Sequence, residues 1–199
     1  NNFELTQVRE GETEDITSAF SVKGTTDNYL VIDKASYSYD GINYSDIMPV
    51  QKIFDVLLYD DYKGKIFIKY QCKVKNLTNI KLVCEKLPYL TFTVNGNAIE
   101  LLKSDFDVMF LEKDITQYMI QGENEIIYSL DFFEHDGVHF ALFDPRAMES
   151  LRNKLYYDTY LDNIYLKGDC CVDETYSIEK KEVPLKNDHI ERQGYPFFK

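Results

Sequence analysis

Lys65-Ile66-Phe67-Ile68-Lys69-Tyr70-Gln71-Cys72-Lys73-Val74 is the stretch whose reading decides the fold. Ile66, Ile68, Tyr70, Cys72 and Val74 fall on one side, while Lys65, Lys69, Gln71 and Lys73 fall on the other. Successive side chains of a strand point to opposite faces, so this alternation reads as a strand with one face against a core. The pattern continues outward in both directions. Ile80 to Glu85 reads as the next strand, and Leu90-Thr91-Phe92-Thr93-Val94 as another. That last run meets Asn95-Gly96, the strongest short hairpin signal, and returns through Ala98-Ile99-Glu100. Upstream, Tyr29 to Ile32 and Ala35 to Tyr39 are short strands, the second ending in the Asp40-Gly41 turn signal.

Further along, Asp114 to Met119 reads as a short helical turn or irregular loop, and Glu125 to Leu130 as a strand. Val138 to Phe143, Asn163 to Leu166, Cys170 to Val172 and Tyr176 to Ile178 read as strands too. One helix is expected, from Asp144 to Tyr156: Pro145 suits a first helical turn, and Ala147, Met148, Leu151 and Leu155 have helical spacing. Residues 1–26 read as a polar lead-in with one strand at Ala19 to Val22. Residues 27–199 form the domain, and the apolar tail Tyr195-Pro196-Phe197-Phe198 suggests a further strand. The expected fold is mostly β, a two-sheet antiparallel jelly-roll sandwich with one inserted short helix.

Composition narrows the function. The 199 residues suit one large β domain. With 16 Tyr and 13 Phe but only 9 Gly and 5 Pro, the chain favours pleated strands with aromatic cross-strand packing. A net charge of −12 repels phosphate backbones and anionic bilayers, so nucleic acid and membrane are not expected partners. No apolar run approaches the roughly 18 residues of a membrane helix. The chain opens Asn1-Asn2-Phe3 without an initiator Met, which reads as a processed product or a piece of a larger protein. The compartment, cytoplasmic or secreted, is not legible. The four cysteines, Cys72, Cys84, Cys170 and Cys171, have no metal-type spacing. They read as reduced structural thiols, with a Cys72–Cys84 bridge across paired strands as the alternative.

Three segments taken together carry a resemblance: Thr91-Phe92-Thr93-Val94-Asn95-Gly96, then Asp114-Ile115-Thr116, then Gly122-Glu123-Asn124-Glu125-Ile126. They resemble the galactose-binding-like jelly-roll domain that accompanies bacterial glycoside hydrolases of the β-galactosidase/β-glucuronidase type and α-L-rhamnosidase-like proteins. Asn163 to Asp169 and Gln193 to Phe198 are similar to the C-terminal domain of large bacterial proteins of that group, with Cys170-Cys171 where Phe-Gly is usual. The resemblance spans roughly residues 30–198 and implies fold more than chemistry. It implies a non-catalytic accessory or carbohydrate-binding-like domain, with the catalytic domain of the parent chain as its partner. The other readings are a stand-alone carbohydrate-binding module and a small β-sandwich enzyme.

No cofactor is called for. The one metal with a claim is a structural calcium, which jelly-roll binding modules often carry and which Asp60-Asp61 would help to hold. His135-Asp136-Gly137-Val138-His139 invites a zinc reading, but in a turn-plus-strand the two imidazoles lie about 13 Å apart with no third ligand in sight. They read instead as a loop-edge pair, and no metal site is assigned. The acidic pairs Asp60-Asp61, Asp105 with Asp107, and Glu134 with Asp136 show no glycosidase separation in sequence. No catalytic residue is named. Sugar binding needs aromatic faces beside hydroxyl-bonding groups, and the candidates are Tyr59, Asp60, Asp61, Tyr62, His135 and Asp136.

Overall fold

The computed structural model describes residues 11, 14, 16, 26–86, 91–104, 107–181 and 190–195. Their elements, in chain order, begin with β1 (Asn28–Ile32), β2 (Lys34–Ser38), β3 (Met48–Pro49), α1 (Val50–Tyr59) and β4 (Gly64–Val74). Then come β5 (Ile80–Glu85), β6 (Thr91–Val94), β7 (Asn97–Ile99), β8 (Leu102–Lys103), β9 (Phe110–Asp114) and β10 (Gly122–Phe132). The order closes with α2 (Asp136–Phe143), α3 (Glu149–Arg152), β11 (Ile164–Gly168), β12 (Cys170–Val172) and β13 (Ser177–Lys180). One sheet runs β1-β11-β5-β9-β8; the other runs β12-β13-β4-β10-β6-β7, with β2 and β3 attached beside β4. Strand pairs are antiparallel except the short parallel contact of β13 with β4. The two sheets form a sandwich.

β4 and β10 are its spine. They pair over their whole length, from Gly122 opposite Val74 to Phe132 opposite Gly64. Ile66, Ile68, Tyr70, Cys72 and Val74 are buried, as the alternation requires, and face a core shared with Leu82, Ile164 and Leu166 of the other sheet. Tyr128 stands between Tyr70 and Phe92, with ring centroids at 5.8 and 5.5 Å. Tyr70 crosses the core and donates its hydroxyl to the Asp162 carbonyl at 2.6 Å. At Gly168 the sheet leaves no room for a side chain, because a Cβ would run into the Asn79 carbonyl.

Two of the motifs behind the family resemblance, the Asn95-Gly96 hairpin and the Gly122 to Ile126 run, prove to be one hydrogen-bonded brace. Asn95 and Gly96 both adopt positive φ, +49° and +79°, as a two-residue type I′ hairpin needs. The Asn95 amide then reaches the Tyr118 carbonyl and Asn124 Oδ1, each at 2.8 Å, while its oxygen accepts the Glu125 N–H at 2.9 Å. Asn124, 2% exposed, accepts the Ile120 N–H and donates to the carbonyls of Ile120 and Gly122. Thr116, in a short 3-10 turn at Thr116–Tyr118, accepts the Ile80 N–H at 3.0 Å. These polar residues replace the backbone partners that the turns cannot supply.

Three expectations about helices are corrected. α1 was not anticipated, yet Val50, Ile53, Phe54, Leu57 and Leu58 are buried at amphipathic helical spacing. Val138 to Phe143 is helix α2 rather than a strand; Val138 and Ala141, three apart, face inward while Phe140 and Phe143 are exposed. Asp144-Pro145 ends this helix instead of opening one. Proline disfavours helical backbone at the residue before it, and Asp144 is extended at φ −81°, ψ 125°. Of the expected helix Asp144 to Tyr156 only the single turn α3 forms, with Met148 and Leu151 exposed.

The Asp40-Gly41 signal marks a turn but a wider one than a tight hairpin. The Asp40 carboxylate accepts the N–H groups of Ile42 and Asn43, each at 2.8 Å, and Gly41 at φ +76° packs against the Phe67 ring. The Ala19 to Val22 strand and the Phe197-Phe198 end lie outside the described residues. All four thiols are free, and burial pushes Cys72, Cys84 and Cys170 up to about 12, which leaves them unreactive at neutral pH.

Asp173 fastens β13 beside the end of β4. Its carboxylate pairs with the Lys75 ammonium and accepts N–H bonds from Ser177 (2.9 Å) and Thr175 (2.8 Å). The lysine first, then these donors, hold its pKa well below the usual 3.8. A depressed carboxyl contributes its full stability above its unfolded pKa and loses it progressively as pH falls from there through the lower folded pKa. Asp173→Asn is therefore expected to lower the melting temperature at pH 7. The gap from the parent protein should shrink in melts below about pH 4; a gap that stays constant down to pH 2.5 contradicts this.

Candidate functional site

The register of β4 and β10 builds the candidate site. Phe132 lies opposite Gly64, so the segment entering β4 and the segment leaving β10 meet at one corner of the sandwich. The first supplies the end of α1 and the loop Asp60 to Lys63; the second supplies Phe133, Glu134, His135 and α2. All six candidate sugar-contact residues therefore lie on the two segments that meet at this corner, Tyr59 at the end of α1 and Asp136 at the start of α2. Lys63 ties the loops together through an ion pair to Asp136 at 2.8 Å. That pair raises the Lys63 pKa and lowers that of Asp136.

Each candidate has a distinct setting. Tyr59 ends α1 and is 69% exposed, its ring edge-on to Phe143 at 5.5 Å. Asp60 caps α1 and is exposed, and Asp61 takes positive φ (+47°) to turn the chain into the loop. Tyr62 is half-buried; it lies 4.7 Å from the Tyr39 ring and donates its hydroxyl to the Lys65 carbonyl at 2.7 Å. It therefore supports the loop more than it offers a free face. Asp136 is exposed in the first turn of α2, where a carboxylate complements the helix dipole.

His135 and His139 do not act as a pair. His139 lies in α2 with Nε2 3.3 Å from the Tyr59 carbonyl and its ring 5.1 Å from Phe143. His135 precedes α2; its Nδ1 is 2.7 Å from Asp158 Oδ2, and its ring stacks on Tyr156 at 4.6 Å. The strand separation assumed from sequence fails because this segment is helical. The Glu134–Asp136 pair also separates: Asp136 points to Lys63, while Glu134 is 5% exposed and accepts the Asp158 and Thr159 N–H groups at 2.8 and 2.9 Å. Burial raises the Glu134 pKa, against the pull of those two donors. Asp107 is occupied locally, accepting the Met109 N–H at 2.8 Å; Asp105 lies outside the described residues.

Sequence reasoning missed Asp158, Tyr156, Lys63 and the aromatic face of α2. Only the apolar spacing of α1 carried a readable signal for any of this. Between the loops runs a crease with Leu57 and Leu58 below and Asp61, Tyr62, Glu134 and His139 along its sides; it encloses no space that a water molecule could fill. The arrangement presents an open aromatic and acidic surface. Among the described residues no helix is long and apolar enough to cross a membrane.

No family model and no curated protein matches this chain. Among solved structures it is similar to β-D-glucuronidase of Dictyoglomus thermophilum, at 17% identity and a TM-score of 0.45, over 77% of this chain and 30% of that one. It is also similar to β-glucuronidase of Ruminococcus gnavus, at 14% identity and a TM-score of 0.47, over 77% of this chain and 32% of that one. The chain spans just under a third of the length of these enzymes.

Proposed function

We propose that this chain is a non-catalytic, galactose-binding-like accessory domain of a larger carbohydrate-active protein of the family-2 or α-L-rhamnosidase type. In this reading the corner built by Tyr59, Asp60, Asp61, Tyr62, His135 and Asp136 contacts carbohydrate, and the parent chain's catalytic domain is the other partner. One observation carries it: these aromatic and acidic side chains gather at one open end of a β sandwich. Tyr59 is the ring most free to stack on a pyranose, and Asp60 is an exposed acceptor for its hydroxyls. The brace of Asn95 and Asn124 supports the same reading from another side, since it accounts for the family-like motifs as structural parts.

The test is calorimetric titration of the chain with neutral oligosaccharides. Binding is expected, and Tyr59→Ala should weaken it at least about tenfold, near 1.4 kcal/mol. Tyr59 is a surface ring, so melting should barely change. Failure to bind any of a broad panel of plant and host glycans, or equal affinity after Tyr59→Ala, sinks the sugar-contact assignment.

A further inference from the structure

We infer that Glu134, His135 and Asp158 form a binding site for a divalent transition metal of the zinc type. His135 Nδ1 and one oxygen from each carboxylate lie within 4.8 Å of one another. The three donors come from the turn between β10 and α2 and from the loop that follows α3, so only the tertiary fold assembles them.

Charge balance is the first argument. Glu134 is 5% exposed, yet it forms no ion pair with a Lys or Arg among the described residues. Its nearest compensating group is His135, which Asp158 already engages at 2.7 Å. Lys63, the cation on the adjoining loop, is spent on Asp136. A buried carboxylate beside a second carboxylate is costly unless a positive charge is shared between them. One dication balances both carboxylates and leaves the imidazole neutral. The α2 N-terminus opposes a cation here, but with only about half a unit charge.

Pre-organisation is the second argument. Metal-binding carboxylates are normally held in place by further hydrogen bonds. Both Glu134 oxygens accept backbone N–H groups, from Thr159 and Asp158, and Asp158 accepts the His135 N–H at 3.0 Å. Stacking on Tyr156, with planes 21° apart, holds the imidazole ring. One nitrogen and two carboxylate oxygens suit zinc with a further position for water, whereas calcium asks for six to eight oxygens. Coordination through Nδ1 requires the proton between Nδ1 and Asp158 to leave. From a neutral imidazole it reappears on Nε2, and from an imidazolium one proton passes to solvent.

The test uses metal-stripped protein carrying Cys171→Ser, which removes the partly exposed thiol. Titration with CoCl2 should show one equivalent bound, with visible absorption of nitrogen and oxygen coordination, and ZnCl2 should displace it. Zinc should also raise the melting temperature. His135→Ala and Asp158→Asn should abolish uptake, and His139→Ala should leave it intact. If the parent protein takes up no cobalt and its melting is unmoved by excess zinc, the three side chains form only a hydrogen-bonded clasp and the inference falls. Undiminished uptake in the His135→Ala, Asp158→Asn double variant overturns it as well. Metal uptake is read without sugar, so this result and the glycan titration can fail separately.

Discussion

Asn124→Ala is expected to destabilise the protein by about 3 kcal/mol or more, because a single truncation orphans several buried groups at once. Its side chain accepts from the Ile120 N–H and the Asn95 amide, and donates to the carbonyls of Ile120 and Gly122, all within 2.9 Å. At 2% exposure no water replaces those partners without the turn opening. Urea unfolding should show a lower midpoint with an unchanged slope, since the exposed area on unfolding stays the same. Asn95→Ala should cost less, its site being nearer to solvent. The double variant should cost less than the sum of the two, because Asn95 and Asn124 bond each other at 2.8 Å. A loss below about 1 kcal/mol for Asn124→Ala would show that the turn reorganises around the gap.

Phe132→Ala should be at least as damaging, about 3–5 kcal/mol, the usual loss for removing a buried aromatic ring. Phe132 is 1% exposed at the end of β10 and packs edge-on against Phe54 of α1 at 5.9 Å. Phe54 in turn meets Tyr157 at 5.2 Å. Phe132 thus joins the sheet to α1, and Phe54 joins α1 to the loop that carries Asp158. Beyond the global loss, amide exchange in Val50 to Tyr59 should accelerate more than exchange in β5 or β11. Equal acceleration everywhere would mean that α1 does not depend on this contact.

The two variants probe parts of the molecule that differ in how readable they were. Asn95, Gly96, Thr116 and Asn124 stood out in sequence as motif residues, and the structure explains why those residue types are needed there. α1 carries an amphipathic helical signal in Val50, Ile53, Phe54, Leu57 and Leu58, set among louder strand patterns. α2 is a harder case. Val138 to Phe143 is a short apolar run, and periodicity over six residues does not separate helix from strand. The choice is made by the docking of Val138 and Ala141 onto the core and by the stop at Asp144-Pro145.

At the candidate site, the types of residue were legible and their company was not. Tyr59 to Tyr62 and His135-Asp136 were picked out as aromatic and acidic loop residues, and they do meet at one corner. The reason they meet is that Phe132 faces Gly64, a register that no local pattern encodes. Asp158 sits 24 residues beyond Glu134 and became its neighbour through backbone bonds at Asp158 and Thr159.

By itself, then, the sequence determined the spine strands β4 and β10, the β6–β7 hairpin at Asn95-Gly96, and that the chain is an acidic two-sheet sandwich. Alternation and turn chemistry are local properties of the backbone, and they survive in a one-dimensional reading. Only the tertiary structure decided that two helices cap the corner, that His135 pairs with Asp158 rather than His139, and that a buried glutamate completes the cluster. Those outcomes rest on contacts between residues distant in the chain, which arise only when strand register and helix docking are settled together.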